Sequence, residues 1–403
     1  MPYPLLTRAR EILRFETHRQ LWWCSMIHLC NDGYSSTLSL LLPFIAADLG
    51  LSYTQVGFLK TVNYTFVSAL QTPAGFLAEK VGAASLLGGG LGWYATSYTA
   101  LWFAGSYLAA LICAASAGIG GSAYHPVGTS LIAESYPLGK RGSAIGTLNF
   151  AGDVGKVIFP AIAGFLVIRF GWRGSCALLG GMGFVVAVLY LKQSLGEGRI
   201  TAKVRHEKTG AEIEKRSRFG IRHLRNFLAY VGIGFFDEAA RTAVIVFISF
   251  LLLKKGVPEV WLGSLLALMF TGGALGKFAC GYLTDRIGGI GTIILTEILM
   301  ILGCLLLPSL HVGWLLLLPF LLGFGFVLNG TSSVMYIGLA DTLTAQRQSV
   351  GYGIYYTINF ASSAVAPLGF GLLADRYGVP TVFYGVAGMT LAIFPLLFCL
   401  KKE

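Results

Sequence analysis

The chain has 403 residues, of which 55% are hydrophobic and only 12% charged. Its mean hydropathy is +0.69. A soluble domain carries roughly a quarter charged residues, so this composition excludes a soluble enzyme and points to a membrane protein.

The net charge of +11 suggests nucleic acid only until its placement is considered. Of the 30 Lys and Arg, 21 fall in the termini and in loops that alternation places on one side, 5 in the opposite loops (Arg169, Arg173, Lys254, Lys255, Arg376) and 4 inside apolar segments. That asymmetry is the positive-inside pattern, and it predicts both termini in the cytoplasm, in an inner (plasma) membrane. The N-terminal arginines Arg8, Arg10, Arg14 and Arg19 lead into an apolar stretch too long for a signal-peptide core, so no cleavable leader is expected. Seven scattered cysteines with no CxxC predict neither disulfides nor a metal site.

A spanning helix needs about 20 mostly apolar residues. In chain order, such stretches fall near 20–46, 54–76, 84–104, 105–134, 143–168 and 174–192. The first carries Asn31-Asp32, the fourth Tyr124-His125-Pro126, and the fifth Asn149, Asp153 and Lys156. Residues 193–225, with Lys203, Arg205, Lys208, Lys215, Arg216, Arg218, Arg222 and Arg225, read as a solvated cytoplasmic linker. Apolar stretches resume near 226–252, 260–283, 291–309, 312–340, 349–373 and 380–400. The seventh holds Asp237, Glu238 and Arg241, and the eleventh Tyr352, Tyr355, Tyr356 and Asn359. The glycine runs Gly88-Gly89-Gly90 and Gly118-Ile119-Gly120-Gly121 follow no strand, so they read as helix-packing surfaces rather than phosphate loops. No Walker lysine motif and no hydrolytic cluster is present, so neither ATP-driven transport by this chain alone nor enzymatic activity is expected.

The second six stretches repeat the first six. Gly75-Phe76-Leu77-Ala78-Glu79-Lys80-Val81-Gly82 matches Gly281-Tyr282-Leu283-Thr284-Asp285-Arg286-Ile287-Gly288 at an offset of 206. The same offset pairs Gly50 with Gly256, Gly57 with Gly263, and Asp32 with Glu238. Ala133-Glu134 matches Ala340-Asp341, Pro160 matches Pro367, and Arg169-Phe170-Gly171 matches Arg376-Tyr377-Gly378. Asn149-Phe150-Ala151 pairs with Asn359-Phe360-Ala361 at an offset of 210 rather than 207, so the first half carries about three extra residues around Asp153 and Lys156. An insertion inside a helix predicts a local bulge there. A duplicated apolar chain with acids at matching depths predicts a two-lobed transporter with its site between the lobes. The expected fold is an all-α membrane protein of twelve transmembrane helices in two pseudo-symmetric six-helix bundles, 1–192 and 226–403.

Two six-span halves, each with a G-x-L-x-[DE]-[RK]-x-G loop after its second span, resemble the major facilitator superfamily over essentially the whole chain. The resemblance implies that Gly75, Glu79 and Lys80, with Gly281, Asp285 and Arg286, form a conformational latch, engaged in one state and released in another. The first copy has Glu79-Lys80 in place of Asp-Arg, which predicts a weaker latch because Lys cannot make the bidentate fork of Arg. Within the superfamily, Asn31-Asp32, Tyr124-His125-Pro126 and the Pro137–Arg141 loop are similar to the fosmidomycin-resistance-like branch, which implies efflux. In the fifth span, Gly152, Gly155, Pro160 and Gly164 fit a drug-antiporter pattern, but Asp153 and Lys156 interrupt it.

An ionisable residue at the bilayer centre costs about 2.5–3.5 kcal/mol, so those retained either pair or work. Asp32, with Asp237, Glu238 and Arg241, are the proton-coupling candidates; the bland alternative for the seventh-span cluster is a static ion pair, since Arg241 lies three and four residues from the two acids. Asp153 and Lys156 either neutralise each other or leave Lys156 free to meet Asp32. His125, Asn149, Asp153, Lys156, Tyr355, Tyr356 and Asn359 are the substrate-binding candidates, and Pro126 predicts a kink beside His125. Lys60, Lys277 and Glu297 read as snorkelling or locally paired. The expected function is secondary active transport of a small polar or amphipathic solute (an organic anion, zwitterion or drug) with protons, needing no cofactor and no nucleic acid, in a bilayer, as a monomer. Two alternatives are a divalent-metal carrier using Asp32, His125, Asp153 and Glu238, and a non-transporting receptor or scaffold.

Overall fold

The structure, a computed structural model, describes residues 4–195, 221–310, 313–344 and 348–400. It is helical throughout: α1 (Pro4–Leu49), α2 (Tyr53–Val81), α3 (Ala83–Ala100), α4 (Tyr107–Gly121), α5 (Thr129–Ser135), α6 (Leu138–Leu195), α7 (Leu224–Lys254), α8 (Glu259–Ile287), α9 (Gly289–Ser309), α10 (Trp314–Asp341), α11 (Gln348–Tyr377), α12 (Pro380–Thr390) and α13 (Ile393–Leu397). Helices satisfy their own backbone groups, which is what a hydrocarbon interior demands. Among the described residues the only β pairing is a single bridge between Ile221 and Leu343. It pins the end of the basic linker to the α10–α11 connection, where Arg222 N–H also donates to the Thr342 carbonyl at 2.8 Å. The central linker, 196–220, lies outside the described residues.

These helices run through every apolar stretch expected from the sequence. By length and apolarity alone, seven helical stretches of the described residues qualify as spans, and one of them, 140–194, is long enough for two. Gly171, at φ 68°, breaks α6 between the fifth and sixth expected spans. α7 falls short of that criterion because Asp237, Glu238 and Arg241 sit in its middle. Exposed bulky side chains, among them Phe278 at 84% and Phe398 at 85%, are the surface that acyl chains cover.

The duplication shows in the backbone. The positive-φ residues among those described are Gly50, Gly82, Gly171, Gly256, Gly288 and Gly378, three repeat-related pairs that close the same turns in each half. The bulge expected near Asp153 does not form, since α6 is regular until Gly171. The irregular turn lies instead at Tyr124–Gly128, a π-helical turn between α4 and α5. Pro126 has no N–H to donate, and the helix accommodates it as a π turn beside His125, not as a bulge near Asp153.

Two seams join the halves near the end of the bundle away from the chain termini. α2 packs along α11, and α8 along the first arm of α6. A Cβ on Gly57 would overlap the Pro367 carbonyl, 2.7 Å from its carbon; one on Gly263 would overlap the Pro160 carbonyl and lie 2.8 Å from Gly164 Cα. Gly57 and Gly263 are repeat mates, as are Pro160 and Pro367, so the same contact is made twice. At the start of α2, Ser52 and Gln55 form a capping box. The Tyr53 and Thr54 backbone N–H groups also donate to the two Asp375 carboxylate oxygens of α11, each at 2.8 Å. Gly75 and Gly281 have nothing within 4 Å of a notional Cβ.

Candidate functional site

Midway along the bundle, α1 and α6 approach through two glycines. A Cβ on Gly155 would lie 2.8 Å from the Leu29 carbonyl carbon, and one on Gly152 would lie 2.8 Å from both Asp32 Oδ2 and His28 Nε2. This closeness lets side chains of the two helices meet. Lys156 Nζ lies 3.0 Å from Asp32 Oδ2 and 3.2 Å from Asp153 Oδ1. Lys277 of α8 donates to both Asp153 oxygens, at 2.7 and 2.9 Å. The result is a continuous chain, Asp32–Lys156–Asp153–Lys277, with two negative and two positive charges, whose last link crosses from one half to the other.

Two histidines flank the first acid. His28 Nδ1 is 2.8 Å from the Leu148 carbonyl, an oxygen that can only accept, so that nitrogen carries the proton. The other ring nitrogen, Nε2, faces Asp32 Oδ2 at 3.5 Å and makes no hydrogen bond. His125 Nε2 lies 3.8 Å from the other Asp32 oxygen. The His28 ring stacks on Tyr124 at 4.4 Å, and His125 lies 5.9 Å from the Phe360 ring of α11.

A second polar cluster lies in the other half. Arg241 pairs directly with Glu238 and stands 3.8 Å from Asp237. Ser363 of α11 donates to Glu238 at 3.0 Å, and Thr242 meets Ser363 at 3.0 Å. Asn359 and Tyr355 are buried against Gly234, whereas Tyr356 is 37% exposed and continues an aromatic row from Tyr336 to Phe360.

The sequence-predicted residues therefore separate. Asp32, His125, Asp153 and Lys156 come together; Asp237, Glu238 and Arg241 form their own group beside Tyr355 and Asn359. Asn149 is exposed on α6, one turn before Asp153, in a different setting from its buried repeat mate Asn359. Among the described residues, Glu79, Lys80 and Asp285 form no ion pair, and Arg286 instead donates to its own-helix Tyr282 at 2.6 Å.

Three readings need correction. Lys277 does not snorkel; it is the cross-half partner of Asp153. Lys60 is fully buried, donating to the Ser35 carbonyl at 2.9 Å and lying 4.9 Å over the Tyr64 ring. Glu297 is fully buried too, facing Asp237 and Arg241. Helices from elsewhere close over Lys60 and Glu297, and Lys277 finds its partner in the other half; position within an apolar stretch reveals neither. His28 went unnoticed, although its i,i+4 spacing to Asp32 was a readable signal. The metal-carrier set of Asp32, His125, Asp153 and Glu238 is not assembled, since Glu238 belongs to the second cluster. His28, Asp32 and His125 do bring one donor atom each within 4.8 Å of one another. The Lys156 ammonium on the Asp32 carboxylate makes that a poor place for a second cation.

Comparison with known proteins agrees with this architecture. The chain is 24% identical to the probable 4-methylmuconolactone transporter of Cupriavidus pinatubonensis (strain JMP 134 / LMG 1197), over 94% of this chain and 90% of that one. It is 24% identical to the probable L-galactonate transporter of Escherichia coli (strain K12), over 93% and 86%. The fosmidomycin resistance protein of Escherichia coli (strain K12) is 28% identical, but over 41% of this chain and 39% of that protein, so the branch likeness is partial. The fold matches a bacterial homologue of the human lysosomal transporter Spinster, solved in an inward-facing, unoccupied conformation, with TM-score 0.75 and 15% identity over 95% of each chain. The Major Facilitator Superfamily model matches residues 24–340 and 230–403. With that match spanning both halves, the chain belongs to the Major Facilitator Superfamily and is a membrane transporter, not an enzyme.

Proposed function

We propose that the chain is a proton-coupled carrier of small polar organic anions. It works as a monomer in the inner (plasma) membrane with both termini cytoplasmic, and it rocks residues 1–192 against 226–403 about the central site. The observation that carries this reading is the charge chain Asp32–Lys156–Asp153–Lys277, which is neutral as it stands and ties the two halves together. An anion entering a neutral, poorly solvated cluster leaves one negative charge in excess. Such a charge costs several kcal/mol in a low-dielectric interior. One proton taken up with the anion, on Asp32 as its Lys156 turns toward the substrate, restores neutrality. Charge balance thus supplies the coupling.

The names of the relatives support the substrate class, since L-galactonate is a carboxylate. With both termini cytoplasmic, the two seams lie at the outer end of the bundle and close it there. Glu79, Lys80 and Asp285, without ion pairs among the described residues, and Arg286, on Tyr282 of its own helix, suit a released latch.

The test uses purified protein in liposomes with an internal pH dye and L-galactonate as the probe. Probe-dependent proton movement in wild type that disappears in Asp32→Asn is the expected result. Anion flux with no accompanying proton movement, or coupling that survives in Asp32→Asn, overturns the coupling scheme.

A further inference from the structure

We propose that Lys156 and Lys277 together are the receptor for the substrate's carboxylate, and that Asp153 is a resident stand-in for it. The inference rests on the organic-anion reading above and deepens it.

Both ammonium groups hold the same oxygen, Asp153 Oδ1, at 3.2 and 2.7 Å, and Lys277 holds Oδ2 as well at 2.9 Å. A site that cradles one carboxylate between two ammonium groups is chemically suited to another. The burial pattern gives the incoming group access. The Lys156 and Lys277 side chains are 29% and 30% exposed, while those of Asp153 and Asp32 are 13% and 8% exposed. The ammonium-bearing side chains are thus the accessible members of the cluster and the acids the buried ones. Lys156 also holds Asp32 at 3.0 Å, and the proton taken up on Asp32 frees this ammonium to receive the substrate. His125, with its side chain 38% exposed, the exposed Tyr356 and the half-buried Phe360 of α11 lie alongside to contact the uncharged body of the solute.

The two lysines come from opposite halves, Lys156 from α6 and Lys277 from α8. In the empty carrier, Asp153 bridges them. In the loaded carrier, the substrate bridges them and Asp153 is displaced. Two point-charge ammoniums set no planar bidentate geometry as arginine would, so the site selects one compact negative charge rather than a particular anion shape.

This assignment makes an uncommon sign prediction. Removing the charge of Asp153 should strengthen anion binding, because it removes the internal competitor. A structural role would weaken it. The experiment measures equilibrium binding by titration calorimetry on the full chain in nanodiscs. L-galactonate and acetate serve as carboxylate probes, and galactose and acetamide as uncharged counterparts. Lys277→Met and Lys156→Met should weaken carboxylate binding by about tenfold or more, with Lys277→Arg restoring part of it. Asp153→Asn should bind carboxylates tighter than wild type. If that variant loses thermal stability, L-galactonate should restore it by a larger margin than in wild type. Wild-type affinity in Lys277→Met, or an Asp153→Asn affinity reduced like that of the lysine variants, overturns the proposal while leaving anion transport intact. Failure of wild type to bind either carboxylate overturns this proposal and the organic-anion reading together.

Discussion

Gly57→Ala tests the mechanical role of the seams. The added methyl would overlap the Pro367 carbonyl of α11 and stand 2.7 Å from its carbon and 3.1 Å from Leu368 Cα. All three are backbone atoms, so no rotamer change relieves the overlap. α2 and α11 must separate by up to about 1 Å to reach ordinary carbon contact distances. Overpacking of this kind costs about 1–3 kcal/mol. The cost falls on the state in which α2 and α11 touch and vanishes in a state that parts them, so the balance between states should shift by about 5- to 150-fold. Spin labels at Gly105→Cys and Gly313→Cys, both exposed at the closed end of opposite halves, report the change by electron–electron double resonance in a background without native cysteines. The expected result is a longer distance population in Gly57→Ala that is absent in wild type. A Gly57→Ala protein that folds and keeps the wild-type distance distribution would refute the argument that this seam closes by backbone contact.

Asp375→Ala removes the acceptor for the Tyr53 and Thr54 N–H groups. The effect should resemble loss of a helix N-cap, about 0.5–2 kcal/mol, and the same label pair should show a smaller shift in the same direction as Gly57→Ala. Gly152→Ala places a methyl 2.8 Å from both Asp32 Oδ2 and His28 Nε2. We expect proton-coupled flux to fall about tenfold or more, as a displacement near 1 Å does in preorganised sites, with the far-ultraviolet circular dichroism unchanged; normal flux would contradict the placement of Asp32. Lys60→Met replaces a fully buried ammonium whose polar contacts are one carbonyl and an aromatic face. A buried amine with no counter-ion is costly to desolvate, so the thermal midpoint should hold or rise; a marked fall would show that the Lys60 amine is structurally required.

Much of the fold was written in local pattern. Apolar stretches of spanning length and a loop motif recurring at an offset of 206 were enough to expect two six-span halves. The positive-φ pairs Gly50/Gly256, Gly82/Gly288 and Gly171/Gly378 follow from the same repeat, because only glycine takes that backbone without penalty. The irregular turn at Pro126 was legible for a similar reason: a missing N–H is a property of the residue itself. The site was legible in part. Asp32, Asp153, Lys156, Asp237, Glu238 and Arg241 stand out because a charge inside an apolar stretch is costly wherever the helix packs.

Pairing was another matter. That Lys156 reaches Asp32, that Lys277 reaches across to Asp153, and that Glu297 and Lys60 are sealed from solvent depend on which helices cross and at what depth. The supposed insertion around Asp153 was an arithmetic difference between halves, which α6 absorbs without a bulge because the glycines facing α1 hold it close and regular. Sequence periodicity and composition determine what each helix must bury or expose, since those are properties of single residues in a bilayer. Only the tertiary structure decides which charges neutralise which across helices, because Coulomb attraction and burial act between residues on separate helices, 124 positions apart for Asp153 and Lys277.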